Sequence, residues 1–561
     1  MIEKYLEKTE FKSYEDFIEN YRVKVPENFN FGFDIVDGWA NIEPKKKALV
    51  WCDDHEGKED FTFSDISRKS NQIANLLCGA GIKKGDMVLL VLRRRYEYWL
   101  TAVALHKMGA VLIPGSVQLT SKDIDYRVGA ADIKAIISIN DDEVAEQIEQ
   151  GTLNFPQVKK YILGERSGFV NFTDEYKKQS EIFERSTGYN VIKSTDMLLV
   201  YFTSGTTGMP KMVAHDHTYP LGHITTAKYW QQVRENSLHM TVSDSGWAKF
   251  GWGKIYGQWI AGAAIMAYDM DKFIPDKLLK TIEKYKVTTF CAPPTMYRYF
   301  IKEDLSKYDL SCVKHASIAG EPLNPEVFNK FYEATGLKVY EGFGQSESSV
   351  FLANFQWFET IPGSTGKPSP LYDIDLVDED GNSVAVGEEG EIVIKNLNNA
   401  VGLFKGYFEH GKIDKSCFEG GVYHTGDVAW RDIAGYFRFV GRTDDVIKCS
   451  GYRIGPFEVE SAVLEHQSVL ECAVTAYPDE VRGQVVKATI VLAKGFFPSD
   501  KLVKEIQDHV KNITAPYKYP RVIEFVEELP KTLGGKIKRA QIRHQNEKEA
   551  NEKNSIMSML K

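Results

Sequence analysis

Tyr-Phe-Thr-Ser-Gly-Thr-Thr-Gly-Met-Pro-Lys-Met, residues 201–212, sets a run of glycines and hydroxyl residues between an apolar segment and a lysine. The apolar segment before it, DMLLVYF at 196–202, has the length and composition of a buried strand. Glycines after such a strand let backbone N–H groups turn toward an anion, and the flanking hydroxyls add neutral donors. Lys211 adds a point charge. The composition is that of a loop able to wrap phosphate. The Walker pattern is absent, because the spacing after Gly205 is wrong and Pro210 stands immediately before the lysine, and this disfavours a P-loop NTPase. Seen alone, such a loop is more often a plain surface turn.

Upstream of the loop, residues 62–140 alternate helix and strand. A capped helix runs from Ser64 to near Gly79, an apolar run from Met87 to Leu92, a helical stretch from Arg94 to Met108, and a further strand from Val111 to Pro114. Downstream, VTTFCAPP (287–294) and VKHASIAGEP (313–322) read as strands that end in loops, where ligands bind in sheets of this kind. This is an α/β pattern with largely parallel strands. From about 365 to 440 the texture changes to short β segments with turn signals, read as a small sheet or barrel appended to the α/β part. The remainder, with helices near 456–466 and 500–512 and strands at 471–477 and 487–493, is long enough for a separate α+β domain. The last dozen residues, rich in Glu, Lys and Asn, read as a frayed end.

A chain of 561 residues, 43% of them hydrophobic, has material for more than one core. Its formal charge of −9 argues against broad nucleic-acid or anionic-membrane binding and favours a small ligand. The seven cysteines are scattered without CxxC pairs, which suits a reducing compartment better than disulfides or zinc. The first residues, MIEKYLEKTEFKSYEDFIENY, lack a signal-peptide core and the acid-poor bias of a transit peptide. No segment reads as a membrane span, and a soluble cytoplasmic protein is the expectation.

The loop is joined, in order, by GEP at 320–322, EGFGQSES at 341–348, YHTGD at 423–427, GRTDDVIKCSGYRIGPFEVE at 441–460 and PKTLGGKIKR at 530–539. Together these resemble the adenylate-forming family of acyl-CoA synthetases, nonribosomal adenylation domains and luciferases, over nearly the whole chain from about 45 to 545. SDSGWAKFGWGK (243–254) with GFGQSE is most similar to the medium-chain acyl-CoA synthetases. The resemblance implies residues 1–440 as an N-terminal domain of two α/β subdomains plus a small β-barrel-like one, a hinge at 441–445, and a mobile C-terminal domain at 446–561. It also implies a two-step reaction. A carboxylate attacks the α-phosphorus of ATP to give an acyl-adenylate and pyrophosphate, and the thiol of CoA then displaces AMP.

By that resemblance Thr203, Ser204, Gly205, Thr206, Thr207, Gly208 and Lys211 hold the β- and γ-phosphates. Ser346, in place of the more usual Thr, bonds the α-phosphate beside Gln345, and Glu347 binds Mg²⁺, a hard cation that prefers carboxylate oxygen. Gly320, Glu321 and Pro322 lie along the adenine and Phe343 stacks on it. Asp427 accepts from the ribose hydroxyls and Arg442 donates to the ribose; taken singly, the first is equally a turn residue and the second a surface ion pair. Lys536 is implied as the lysine that bridges the carboxylate and the α-phosphate. Asp444 is implied as the hinge that swings the C-terminal domain between half-reactions. After that rotation Lys448, Ser450, Gly451, Tyr452 and Arg453 face the active site for CoA, Gly451 bordering the pantetheine tunnel and Arg453 approaching phosphate. Arg127 aligns loosely with a residue that meets the CoA nucleotide.

Acetate-specific relatives carry a tryptophan where Gly344 stands here. Its absence implies room for several methylenes, about 0.8 kcal/mol each when buried, and hence medium-chain or branched acids. Trp247, Trp252, Lys254 and Trp259 are read as lining this acyl pocket or as core, with Lys254 either at the surface or limiting chain length. His215 and His217 share one face of a strand with no third ligand placed by sequence, so a structural role is expected. Three rivals stand: transfer to a carrier protein, acetyl- or propionyl-CoA synthesis, and a non-catalytic nucleotide sensor.

Overall fold

The computed structural model describes residues 1–203, 209–449, 452–479, 482–531 and 536–559. The opening strand is Met197–Thr203, and the chain does not continue from its loop into a helix. It returns as the antiparallel strand Lys211–Asp216, with Thr203 opposite Lys211 and Val200 opposite Ala214. The strands on either side of the phosphate-like loop thus pair antiparallel, a connection distinct from the strand-to-helix turn of a Walker site.

That pair sits in a nine-stranded sheet. Met197–Thr203 pairs in parallel with Val111–Pro114, followed by Met87–Val91, Ile133–Ser138, Lys159–Ile162 and Val170–Asn171, while Tyr407–Glu409 and Lys412–Asp414 close the other edge. A second nine-stranded sheet has six central parallel strands, Val339–Phe343, His315–Ile318, Thr289–Ala292, Leu238–Thr241, Ala264–Asp269 and Lys47–Asp53. Strand alternation builds the layers. Val88 and Leu90 face the central core, while Met87, Leu89 and Val91 face an outer one. Helix Glu97–Met108, buried at every residue, lies in the central core between the two sheets. Helices Ser121–Ala131 and Asp142–Gly151 contribute to one outer core, and Pro275–Tyr285, Pro294–Phe300 and Pro325–Thr335 to the other. The result is five layers with strands buried on both faces.

The helix expected from Ser64 begins at Phe63, because Thr62 and Asp65 form a reciprocal capping box. The 365–440 region divides. Asp373–Val377, Glu389–Lys395, Tyr423–Arg431 and Phe437–Arg442 form a four-stranded antiparallel sheet, whereas Tyr407–Glu409 and Lys412–Asp414 extend the first large sheet. Beyond Arg442, helices Pro456–Leu464 and Asp500–Ile513 pack with a five-stranded sheet around a core of their own. The stretch read as a frayed end begins inside helix Arg539–Met559, and residues 560–561 lie outside the described residues. Helix Arg539–Met559 buries Ile542, Asn546 and Ala550, a spacing of four that turns one stripe toward strand Val469–Asp479. Among the described residues no helix is long and apolar enough to cross a membrane.

Candidate active site

The loop ends of His315–Ile318, Val339–Phe343 and Met197–Thr203 converge with one edge of the four-stranded sheet. Thr203 ends its strand half-buried, and Ser204, Gly205, Thr206, Thr207 and Gly208 lie outside the described residues. Lys211, across the hairpin from Thr203, carries its ammonium 4.7 Å from the centre of the Tyr407 ring. The Tyr407 hydroxyl donates to Glu347 Oε1 at 3.1 Å, so one tyrosine connects the loop lysine with the proposed metal carboxylate. Burial pushes the Glu347 carboxyl up from its usual range. A shielded carboxylate with one neutral donor and free lone pairs fits a hard cation, which would restore its charged form.

Asp427 and Arg442 are register partners on neighbouring strands, with Arg442 Nη1 3.3 Å from Asp427 Oδ1. Gln345 Nε2 donates to Asp427 Oδ2 at 2.5 Å and to the Thr425 carbonyl at 2.7 Å, and the Tyr423 hydroxyl fixes the other end of that amide at 2.8 Å. Gln345 therefore positions Asp427. Burial raises the Asp427 carboxyl, opposed by Arg442, by the Gln345 bond and by the nearby charge of Lys536. Lys536 is exposed and bears on Lys249 as well, whose ammonium donates to the Ala319 carbonyl at 2.8 Å beside Gly320.

Gly320 takes φ +107° and a Cβ there would meet nothing within 4 Å, so the loop edge is open above the strand. Glu321 lies 3.5 Å from Arg298, and Pro322 is half-buried. Phe343 packs edge-on against Phe351 at 5.1 Å and tilted against Phe439 at 5.4 Å. The Ser346 carbonyl is held by His215 Nε2 at 2.7 Å, and burial drives that imidazole down to about 3, so it is neutral and donates. His217 is fully buried alongside. His215 braces the loop that carries Ser346 and Glu347.

Several expectations require correction. The room that Gly344 was to leave is filled: a Cβ there would stand 2.5 Å from the Trp252 ring and 2.7 Å from the Ser349 carbonyl. The indole missing from the chain at 344 is supplied from Trp252. Trp259 is core, fully buried, with its N–H on the Ala48 carbonyl at 2.9 Å and its ring against Phe31. Lys254 is not at the surface. It is 1% exposed beneath Phe250 and Trp99, and burial together with Arg94 pushes it down to about 7. Trp247 stands half-buried before helix Ala248–Gly253. Arg127 is buried, pairs with Asp123 at 3.5 Å and stacks on Phe202 at 4.9 Å, so it supports the strand entering the loop.

Lys448, Tyr452 and Arg453 lie on the paired antiparallel strands Ile447–Cys449 and Tyr452–Ile454. Lys448 faces Arg453 across the pair, Arg453 pairs with Glu379 at 2.5 Å, and Tyr452 stacks on Tyr517 at 4.1 Å. Ser450 and Gly451 lie outside the described residues. Sequence reading missed Tyr407 and Arg298, which sit outside the quoted motifs, and gave no role to Tyr423 and Lys249, which lie inside them but meet Gln345 and the Ala319 carbonyl only through folding. Asp444 pairs with Arg442 at 3.9 Å and with Arg543 at 3.1 Å.

The described AMP-binding enzyme family matches residues 36–408, and its AMP-binding enzyme C-terminal domain matches 458–536. The mitochondrial acyl-coenzyme A synthetase ACSM3 of Mus musculus is 41% identical over 546 residues, 95% of this chain and 93% of that protein. The human mitochondrial acyl-coenzyme A synthetase ACSM4 is 41% identical over 93% of this chain and 91% of its own length. The solved anthranilate CoA ligase AuaEII in complex with anthranoyl-AMP superposes with a TM-score of 0.85 at 29% identity, covering 94% of this chain and 99% of that one. The acyl-CoA synthetase of Brucella canis gives 0.72 at 28% identity, covering 96% and 100%.

Proposed function

The chain belongs to the AMP-binding enzyme family, and on that premise we propose that it is an ATP-dependent acyl-CoA synthetase that converts a medium-chain or branched carboxylate, ATP and CoA into acyl-CoA, AMP and pyrophosphate. The observation that carries this reading is convergence. Lys211, Glu347, Asp427, Arg442 and Lys536 come from separate strands and loops, yet each interacts with another of the set directly or through Tyr407. The anthranoyl-AMP held by a relative is an acyl-adenylate, the intermediate such a set would stabilise.

In this reading Asp427, its carboxylate aimed by Gln345 and Arg442, accepts both ribose hydroxyls, while Phe343 and the Gly320–Pro322 edge take the base. Lys211 neutralises the outer phosphates from its seat on Tyr407. Glu347 would hold Mg²⁺, which supplies positive charge to the phosphate oxygens. Lys536 places an ammonium between the incoming carboxylate and the α-phosphate, where negative charge builds as the new acyl–phosphate bond forms and pyrophosphate leaves. The hairpin of Lys448, Tyr452 and Arg453 then takes its place by rotation about Asp444. CoA thiolate attacks the acyl carbon there, expelling AMP. Trp252 is the wall that the acyl chain meets behind Gly344.

All seven cysteines are free, which suits a reducing compartment, and we take the cytoplasm as that compartment; recovery of the protein inside an organelle would overturn this. The chemistry is tested by exchange of labelled pyrophosphate into ATP. Exchange that requires a carboxylate supports the reading, and ADP release without any carboxylate contradicts it.

A further inference from the structure

We infer that Arg543 is the positioning residue that holds the hinge in the orientation for adenylate formation, through a line of ion pairs leading back to the nucleotide site. The inference rests on the two-step reading above. Asp427 Oδ1 lies 3.3 Å from Arg442 Nη1, Arg442 Nε 3.9 Å from Asp444 Oδ1, and Asp444 Oδ2 3.1 Å from Arg543 Nη2. Arg543 also pairs with Asp445. The Arg543 and Asp445 side chains are only 20% and 13% exposed, so this end of the line is shielded from the screening that weakens surface pairs, and the pairs form a network.

Two arginines on one helix divide the work. Arg539 donates to Glu460 from Nη2 at 2.8 Å to each carboxylate oxygen and from Nε at 3.1 Å, and both residues lie beyond the hinge, so this clamp travels with the C-terminal part. Arg543, one turn later, grips Asp444 and Asp445, whose backbone angles must change in any rotation about this point. A contact made in only one of two orientations shifts the balance toward that orientation by its own strength. The orientation it favours is the one seen. Helix Arg539–Met559 begins three residues after Lys536, and Lys536 lies within electrostatic reach of Asp427. Releasing Arg543 therefore loosens the turn at the hinge and, through the helix start, the placement of Lys536. Arg442 stands in both the ribose pair and the hinge pair, so the occupant of Asp427 bears on the latch.

The test compares wild type, Arg543→Ala and Arg543→Lys in the two half-reactions. Arg543→Ala is expected to slow acyl-adenylate formation roughly fivefold to tenfold while leaving thioester formation from supplied acyl-adenylate equal or faster, and Arg543→Lys is expected to recover most of the loss. In parallel, a label pair at Ile433 and Phe497, exposed at 96% and 79%, reports the distance across the hinge without any turnover. Arg543→Ala should broaden that distance distribution and Arg543→Lys should not. Equal loss of both half-reactions, a lysine variant no better than alanine, or an unchanged distance distribution overturns the inference. Should wild type form no adenylate at all, the two-step reading falls, and the label distances still decide whether Arg543 holds the hinge.

Discussion

Lys536 and Asp427 are oppositely charged groups that the fold brings near each other from positions 109 residues apart, a separation read from their numbers alone. If the ammonium serves only the first step, Lys536→Ala should reduce acyl-adenylate formation on the order of a hundredfold or more and largely spare thioester formation from supplied acyl-adenylate. Stopped measurements of each half-reaction check this, and parallel loss would remove the assignment. Glu341 makes a separate prediction about stability. It is 5% exposed, accepts from the Leu323 N–H at 3.2 Å, and burial raises it from the usual range to about 8. Between about 4.5 and 8 the folded chain then holds a proton that the unfolded chain has lost, so this group makes stability fall as pH rises through that window. Glu341→Gln should flatten this part of the stability profile in denaturant titrations at pH 5 and pH 8; an unchanged slope would show that the carboxyl ionises freely. Asp427, Arg442 and Lys536 were legible as residues because each lies in a dense local motif. Tyr407 was not, since its relation to Lys211 and Glu347 exists only after strand Tyr407–Glu409 pairs with Val213.

The strands Met87–Val91, Val111–Pro114, Met197–Thr203, Thr289–Ala292 and His315–Ile318 were legible from their apolar runs because burial on both faces leaves little ambiguity over such lengths. What could not be read was the partner of each run. The hairpin return at Lys211–Asp216 and the joining of 407–414 to the same sheet are long-range pairings with no local signal. The same holds for helix Ala248–Gly253. Its Trp252 fills the space beside Gly344, so a glycine that reads as an opening is a site of close approach. Gly344→Trp should consequently lower activity with acids of every length, because the new side chain collides with Trp252 and the Ser349 carbonyl. A clean shift toward acetate in a carboxylate series would instead show that Trp252 gives way. At the hinge, Asp444→Pro fixes φ at a residue argued to change it, and should slow thioester formation more than adenylation; the reverse order would refute the hinge role.

At the scale of the whole molecule, helix Glu97–Met108 lies between two largely parallel sheets, and the loop after Val339–Phe343 meets, through Gln345, the four-stranded sheet that carries Asp427 and Arg442. Among the described residues, the part beyond Arg442 meets this body through polar contacts that include Asn324 to the Ser461 carbonyl at 3.2 Å, Arg453 to Glu379 and Arg442 to Asp444. An attachment of that kind suits an element that must take two orientations. The layered α/β class was readable from alternating elements, while the start of the helical tail was not, because Asn546 and Ala550, which follow Ile542 on its buried stripe, carry no large apolar side chain. The most direct measurement incubates the protein with Mg-ATP, CoA and carboxylates from acetate to octanoate, including branched and aromatic acids, and quantifies AMP, ADP and thioesters together. The account predicts AMP and acyl-CoA in equal amounts, with kcat/KM rising roughly fourfold per methylene until the chain meets Trp252. ADP in place of AMP, or carboxylate-dependent pyrophosphate with no thioester, would contradict it.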